Sequence, residues 1–198
     1  CQSFSQQAPL SKNKKLLLKT ISSHEKELTR ISDSIWSYAE TAFGEHKSSK
    51  ILADYAAANG FSVQRGVAEM PTAFIASYGS GKPIIAVLGE FDALPGLSQK
   101  AKPERDVRVA NAAGHGCGHN LFGAGSLGAA LAIKDLISTG KIKGTVRFYG
   151  TPAEESGGGK SYMARAGLFK DVDISFDWHP DAEIKANMQS SQAEVDLL

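Results

Sequence analysis

The apolar positions of the chain change period several times, and each change marks an element. From Leu16 to Tyr38, Leu17, Ile21, Leu28, Ile31 and Ile35 recur at the spacing of one helical face, which predicts an amphipathic helix packed on a sheet. A second helix is predicted from Lys47 to Ala58, stopped at Asn59-Gly60, a pair that readily leaves helical geometry. Three runs read as strands: "FSVQR" from Phe61, "TAFIASY" from Thr72 and "PIIAVLGE" from Pro83. The turn "GSGKP" joins the last two, so that pair reads as a hairpin. Gly96 to Gly114 has no periodicity and reads as a long loop, a feature that in compact domains is often functional. "NLFGAGSLGAALAIKDLIS" is a helix whose small residues permit close approach to a sheet, "GTVRFYG" a buried strand, Lys160 to Ala166 a short helix and "VDISFDW" a further strand. Alternating strands and helices with an antiparallel pair near the start predict an α/β layered domain with a mixed sheet.

With 198 residues, 42% of them hydrophobic, the chain can build one domain with a substantial core. That domain is expected over residues 16–198, after a polar tail at 1–15. Lys and Arg number 22 against 21 Asp and Glu, so no net field favours nucleic acid or an anionic membrane, and a charged substrate must be recognised locally. No run of 18 or more apolar residues is present, and no membrane-spanning helix is expected. Cys1 and Cys117 do not form the closely spaced framework of a disulfide-rich domain. Cys1 with the tail "CQSFSQQAPLSKNKK" has two readings. One is a mature lipoprotein terminus, acylated and tethering a periplasmic or membrane-anchored protein; the other is an arbitrary boundary in a cytoplasmic one.

Four polar clusters fall at predicted strand ends or at a helix start: "GEFDALPG", "GHGCGHN", "TPAEESGGG" and "DWHP". In open α/β sheets the carboxyl ends of the strands line the ligand crevice, so the four can converge. "HGCGH" sets His115, Cys117 and His119 at alternate positions, with glycines that let the backbone wrap an ion. A thiolate can bridge two cations, and His179 and Glu155 offer further nitrogen and oxygen donors. A Cys-x-His pair alone would be weak, because a buried cysteine and a satisfied histidine are common. Glu154 and Glu155 suit a division of labour in which one carboxylate binds metal and the other is a general base. Asp92 suits a carboxylate that orients a ligating imidazole, or alternatively caps the turn before Pro95. Glu90 shares the strand-end placement without an assigned role, while His24 and His46 read as solvent-facing. "ESGGGKS" fails as a phosphate-binding loop, since Glu154 occupies the position of its first required glycine.

These motifs, "GEFDALPGLSQ", "GHGCGHNLFGAG", "GTVRFYGTPAEESGGGKSYM" and "LFKDVDISFDWHP", resemble the aminoacylase and carboxypeptidase type of metallopeptidases, and within it the amidohydrolase branch that includes the aminobenzoyl-glutamate hydrolases. The resemblance runs from about Leu16 almost to the end of the chain. It implies a three-layer αβα catalytic domain and hydrolysis of the amide bond of small N-acyl or aminobenzoyl amino acids, or of dipeptides, with two divalent ions; the cysteine and histidine donors favour zinc, and the carboxylates also admit manganese. By matching positions, Cys117 would bridge the ions, His119 and His179 would complete one site, Glu155 would serve the other, Glu154 would be the general base and Asp92 would orient the shell. Members of the type are longer; their inserted lid domain, which often dimerises, and a last metal-binding histidine have no counterpart in these residues. The chain is therefore expected to be a fragment or a truncated protein holding one ion or fewer, and the alternative function is an inactive metal-binding remnant.

Overall fold

The computed structural model describes residues 10–183, so Cys1 and its lipoprotein reading lie outside the described residues. Helix α1, Lys12–Tyr38, opens where the Ser11 hydroxyl accepts a hydrogen bond from the Lys14 amide at 3.3 Å. Its apolar stripe is buried only from Leu28 onward, while Leu18 and Ile21 stay exposed. It lies mainly along α3, not on the sheet as the sequence suggested. α2 spans His46–Ala58 and stops at Asn59-Gly60 as predicted. The other elements are β1 (Ser62–Arg65), β2 (Phe74–Ser80), β3 (Ile84–Glu90), α3 (His119–Ser138), β4 (Gly144–Thr151), α4 (Glu154–Gly157), α5 (Gly159–Arg165) and β5 (Ile174–Phe176). A 3₁₀ turn at Val67–Glu69 and the short α4 left no pattern in the sequence.

The sheet order is β1-β2-β4-β3-β5, with β3, β4 and β5 parallel and β2 antiparallel to both β1 and β4. The hairpin therefore joins β1 to β2, and the predicted pairing of β2 with β3 is wrong. β4 slots between them, its Thr145 amide bonded to the Pro83 carbonyl at 2.9 Å and its hydroxyl to the Gly81 carbonyl at 2.8 Å. The reason is burial: β4 is buried on both faces along nearly its whole length, and a strand of that kind is stable only in the interior of a sheet covered on both sides.

Successive residues face opposite layers. Phe74, Val87 and Phe148 belong to one core cluster with Leu52 of α2, Leu127 and Leu131 of α3 and, beyond them, Leu28, Ile31 and Ile35 of α1. Ile75, Ala86 and Tyr149 meet Met70 and Met163 on the other side, below α5. Burying a side chain of this size contributes about 1.5–3 kcal/mol relative to exposure. The result is the expected αβα sandwich. α3 has the length and apolarity of a membrane span, but it is the central core helix, with Phe122, Leu127 and Leu131 fully buried.

Chain direction places the site. From β3 the chain crosses through α3 to β4, then returns through α5 past β3 to β5. The loops leaving β3 and β4 therefore diverge to opposite faces, and a crevice opens between their carboxyl ends.

Candidate metal centre

Three parallel strands deliver their final residues to that crevice. β3 ends at Glu90 and continues to Asp92, both buried. β4 ends at Thr151 and leads through Pro152 and Ala153 to Glu154 and Glu155. β5 leads to Asp177, Trp178 and His179. From the opposite side comes the start of α3, with Cys117 just before it and His119 as its first residue. Gly118 precedes the helix in a left-handed conformation, φ +80, and carries no side chain where Pro180 packs. Gly123 lets α3 approach β3, since a Cβ there would lie 2.7 Å from the Glu90 carbonyl oxygen.

His119 is fully buried at the centre. Its Nδ1 is 2.9 Å from Asp92 Oδ1, and the other Asp92 oxygen accepts the Glu155 amide at 2.9 Å. Its Nε2 lies 2.9 Å from Glu90 Oε2 but out of line, so both atoms are buried without a hydrogen-bond partner. Glu155 Oε1, 3.8 Å from His119 Nδ1, is likewise buried and unpartnered. Cys117 Sγ is 3.2 Å from His179 Nε2, and the His119 and His179 rings meet edge to face. Two groups could hold an ion, Cys117 with His119 and His179, and Glu90 with His119 and Glu154. Lys160 forms an ion pair with the other oxygen of Glu90. Beside these groups a cleft of about 400 Å³ opens between Glu154, Phe122, Trp178 and His179.

Burial pushes the Cys117 thiol up to about 11, and the carboxylates of Glu155, Glu154 and Asp92 add to the rise. Burial opposes protonation of His119, but Asp92, Glu155 and Glu154 outweigh it and leave its pKa raised. The two shifts share a contribution from the acidic groups that crowd the site, which at Cys117 comes second to burial. Orphaned imidazole and carboxylate atoms beside a thiol are the donor chemistry of a divalent metal, and these residues fit one.

Of the residues expected from the sequence, Cys117, His119, His179, Asp92, Glu154 and Glu155 are brought together. His115 is not: its Nε2–H donates to the Ile35 carbonyl at 3.1 Å, away from the cluster. His46 is exposed as expected, whereas His24 is half-buried against the Tyr55 hydroxyl. Two participants escape sequence reasoning. Buried Glu45 accepts the Ala153 amide at 2.8 Å and the Thr72 hydroxyl at 3.1 Å, and a lone glutamate in the polar turn "GEHK" gives no sign of this. Lys160 reads in the sequence only as a candidate phosphate-loop lysine; a cation following strand-end carboxylates is the signal that could have found it.

The model of peptidase family M20/M25/M40 matches residues 86–195. The chain belongs to this family. Among its relatives, a p-aminobenzoyl-glutamate hydrolase subunit of Escherichia coli is 48% identical over 163 residues, covering 82% of this chain and 34% of that protein. Xaa-Arg dipeptidase of Homo sapiens is 32% identical over 86% of this chain and 39% of its own length. Thus the chain spans little more than a third of either. Among solved structures, the YXEP protein of Bacillus subtilis, described as a dinuclear metal binding peptidase from the M20 family, superimposes with a TM-score of 0.69 at 26% identity. The overlap covers 81% of this chain and 44% of that one, and it gives the M20 chain the α/β fold read from its sequence.

Proposed function

We propose that this M20 chain carries the centre of a metal-dependent amidohydrolase that uses water to cleave the amide bond of small N-acyl or aminobenzoyl amino acids, or of dipeptides. The observation that carries the reading is the convergence of Cys117, His119, His179 and Glu155 around buried donor atoms that lack hydrogen-bond partners. The E. coli and human relatives point to aminobenzoyl-glutamate and dipeptides as substrates, and an N-acetylcysteine deacetylase of Bacillus subtilis, 33% identical over 52% of this chain, to N-acyl amino acids. Two divalent ions, when bound, supply Lewis acidity for the scissile carbonyl and for water. Cys117, His119 and His179, with Glu155, would hold them; the nitrogen and sulfur donors suit zinc and the carboxylates also admit manganese.

The chain's own groups divide the remaining work. Asp92 holds His119 through Nδ1, leaving Nε2 free as a donor atom, and fixes the Glu155 backbone with its second oxygen. The Glu155 side chain is 14% exposed and serves as a ligand; that of Glu154 is 41% exposed and stays free to move protons. Glu154 takes the proton from the attacking water and returns it to the amine leaving group. The cleft of about 400 Å³ beside it suits a small molecule.

The test is an assay of the metal-loaded protein on p-aminobenzoyl-glutamate, N-acetyl amino acids and dipeptides. Glu154→Gln should keep its metal and lose turnover by a factor of about 100 or more. Glu155→Gln should weaken metal binding instead. The opposite pattern exchanges the two roles, and absence of turnover on every substrate with either metal refutes the function.

A further inference from the structure

Glu90 is 3% exposed, a depth at which a carboxylate is stable only with both oxygens engaged. One oxygen is engaged by Lys160. The other, Oε2, has no hydrogen-bond partner and faces His119 Nε2, itself fully buried and unpartnered, at 2.9 Å. Their alignment makes no hydrogen bond, and with Nδ1–H donated to Asp92 the Nε2 lone pair faces the carboxylate oxygen, which is destabilising unless a third body lies against both. The separation suits that arrangement: nitrogen and oxygen donors each about 2.0–2.2 Å from one ion, at a near-right angle, lie about 3 Å apart.

We propose that Glu90 is a metal ligand, completing through Oε2 the shell of the ion that His119 binds, and that Lys160 is a positioning residue that holds Oε1 so the carboxylate binds through one oxygen. The inference rests on the metal-dependent reading above and adds to it a donor outside the set Cys117, His119, Glu155 and His179. It also explains why a lysine stands beside a metal site. Lys160 offsets the charge of a carboxylate buried near Asp92, Glu154 and Glu155 without occupying the oxygen that faces the site.

The test is a cobalt(II) titration of the metal-free protein, followed by calorimetry and by the visible absorption of the bound ion. Wild type, Glu90→Gln and the double variant Glu90→Gln/Lys160→Met are compared, each checked for folding by circular dichroism. A ligand role predicts affinity at least tenfold weaker in Glu90→Gln, an altered cobalt spectrum, and no recovery in the double variant. If Glu90 acts only through its charge, the double variant, with the net charge of wild type, regains wild-type affinity and spectrum, and the ligand assignment is overturned. The double variant leaves no buried ammonium unpaired, so it decides the matter even if Glu90→Gln fails to fold. Wild-type affinity and spectrum in both variants would overturn the assignment of Glu90 alone. Absence of cobalt uptake by the wild-type protein would overturn the metal-dependent reading with it.

Discussion

Asp92 uses both oxygens, one on His119 Nδ1 and one on the Glu155 amide, and so ties a helix start to a strand end. Cys117 depends on its surroundings in the opposite sense. With the thiol pushed up to about 11 by burial and then by Glu155, Glu154 and Asp92, metal uptake must displace a proton. Cys117→Ser should therefore lower metal content, because a hydroxyl is a far poorer soft ligand than a thiolate; unchanged stoichiometry by elemental analysis would remove Cys117 from the site. His115 gives a prediction about stability. Burial lowers its pKa from 6.5 to about 4, so between those values the unfolded chain binds a proton that the folded chain does not. Stability contributed by neutral His115 is present above pH 6.5 and is lost as pH falls towards about 4. In chelator-treated protein, the melting temperature of His115→Gln should fall less steeply from pH 7 to pH 5 than that of wild type, and equal slopes would rule the linkage out.

The turn from β4 into α4 is where elements from distant parts of the chain hold the acidic pair. Ala153 is left-handed, φ 57, a conformation that costs a residue with a Cβ about 1–2 kcal/mol. It is held by the carboxylate of Glu45, at the start of α2, whose pKa is raised by burial. Glu45→Ala should destabilise the fold by about 1–3 kcal/mol through the orphaned Ala153 amide. Glu45→Gln should lose much less, because its amide oxygen still accepts from Ala153 and its NH₂ can donate to Thr72. Urea unfolding measures both, and equal losses would mean that Glu45 acts by packing alone. This contact also shows what the sequence could convey. The stop of α2, the small-residue face of α3 and the buried run of β4 were readable because each is a local pattern. The slot of β4 between β2 and β3 was not, since pairing across the sheet is decided by which strand needs burial on both faces. Strand-end motifs located the site because parallel strands share one carboxyl edge. Alternation within "HGCGH" misled at His115, which bonds to Ile35 on α1, while the chain turns at Gly118 to bring His119 inward.

At the scale of the molecule, the 198 residues span 34% of the E. coli relative, and the donors they provide are unequal between two ions. Cys117, His119 and His179 form one compact set, with Glu90 beside His119, and three protein ligands with water are enough for a catalytic zinc. A second ion would have Glu155 and a share of Cys117 among the described residues, too few to compete with water. Among the described residues the crevice is also open: Trp178 is 44% exposed, and His179 is exposed next to it. Exclusion of bulk water strengthens the electrostatic interactions on which amide hydrolysis depends, so an open site works at a disadvantage. Residues 1–198 alone should therefore bind close to one zinc or manganese ion per chain and turn over p-aminobenzoyl-glutamate or N-acetyl amino acids little, if at all. Metal counting together with product assay decides this. Two ions per chain with robust turnover, abolished by Glu154→Gln, would show that these residues alone assemble a working dinuclear centre and that the second ion has more ligands than Glu155 and Cys117.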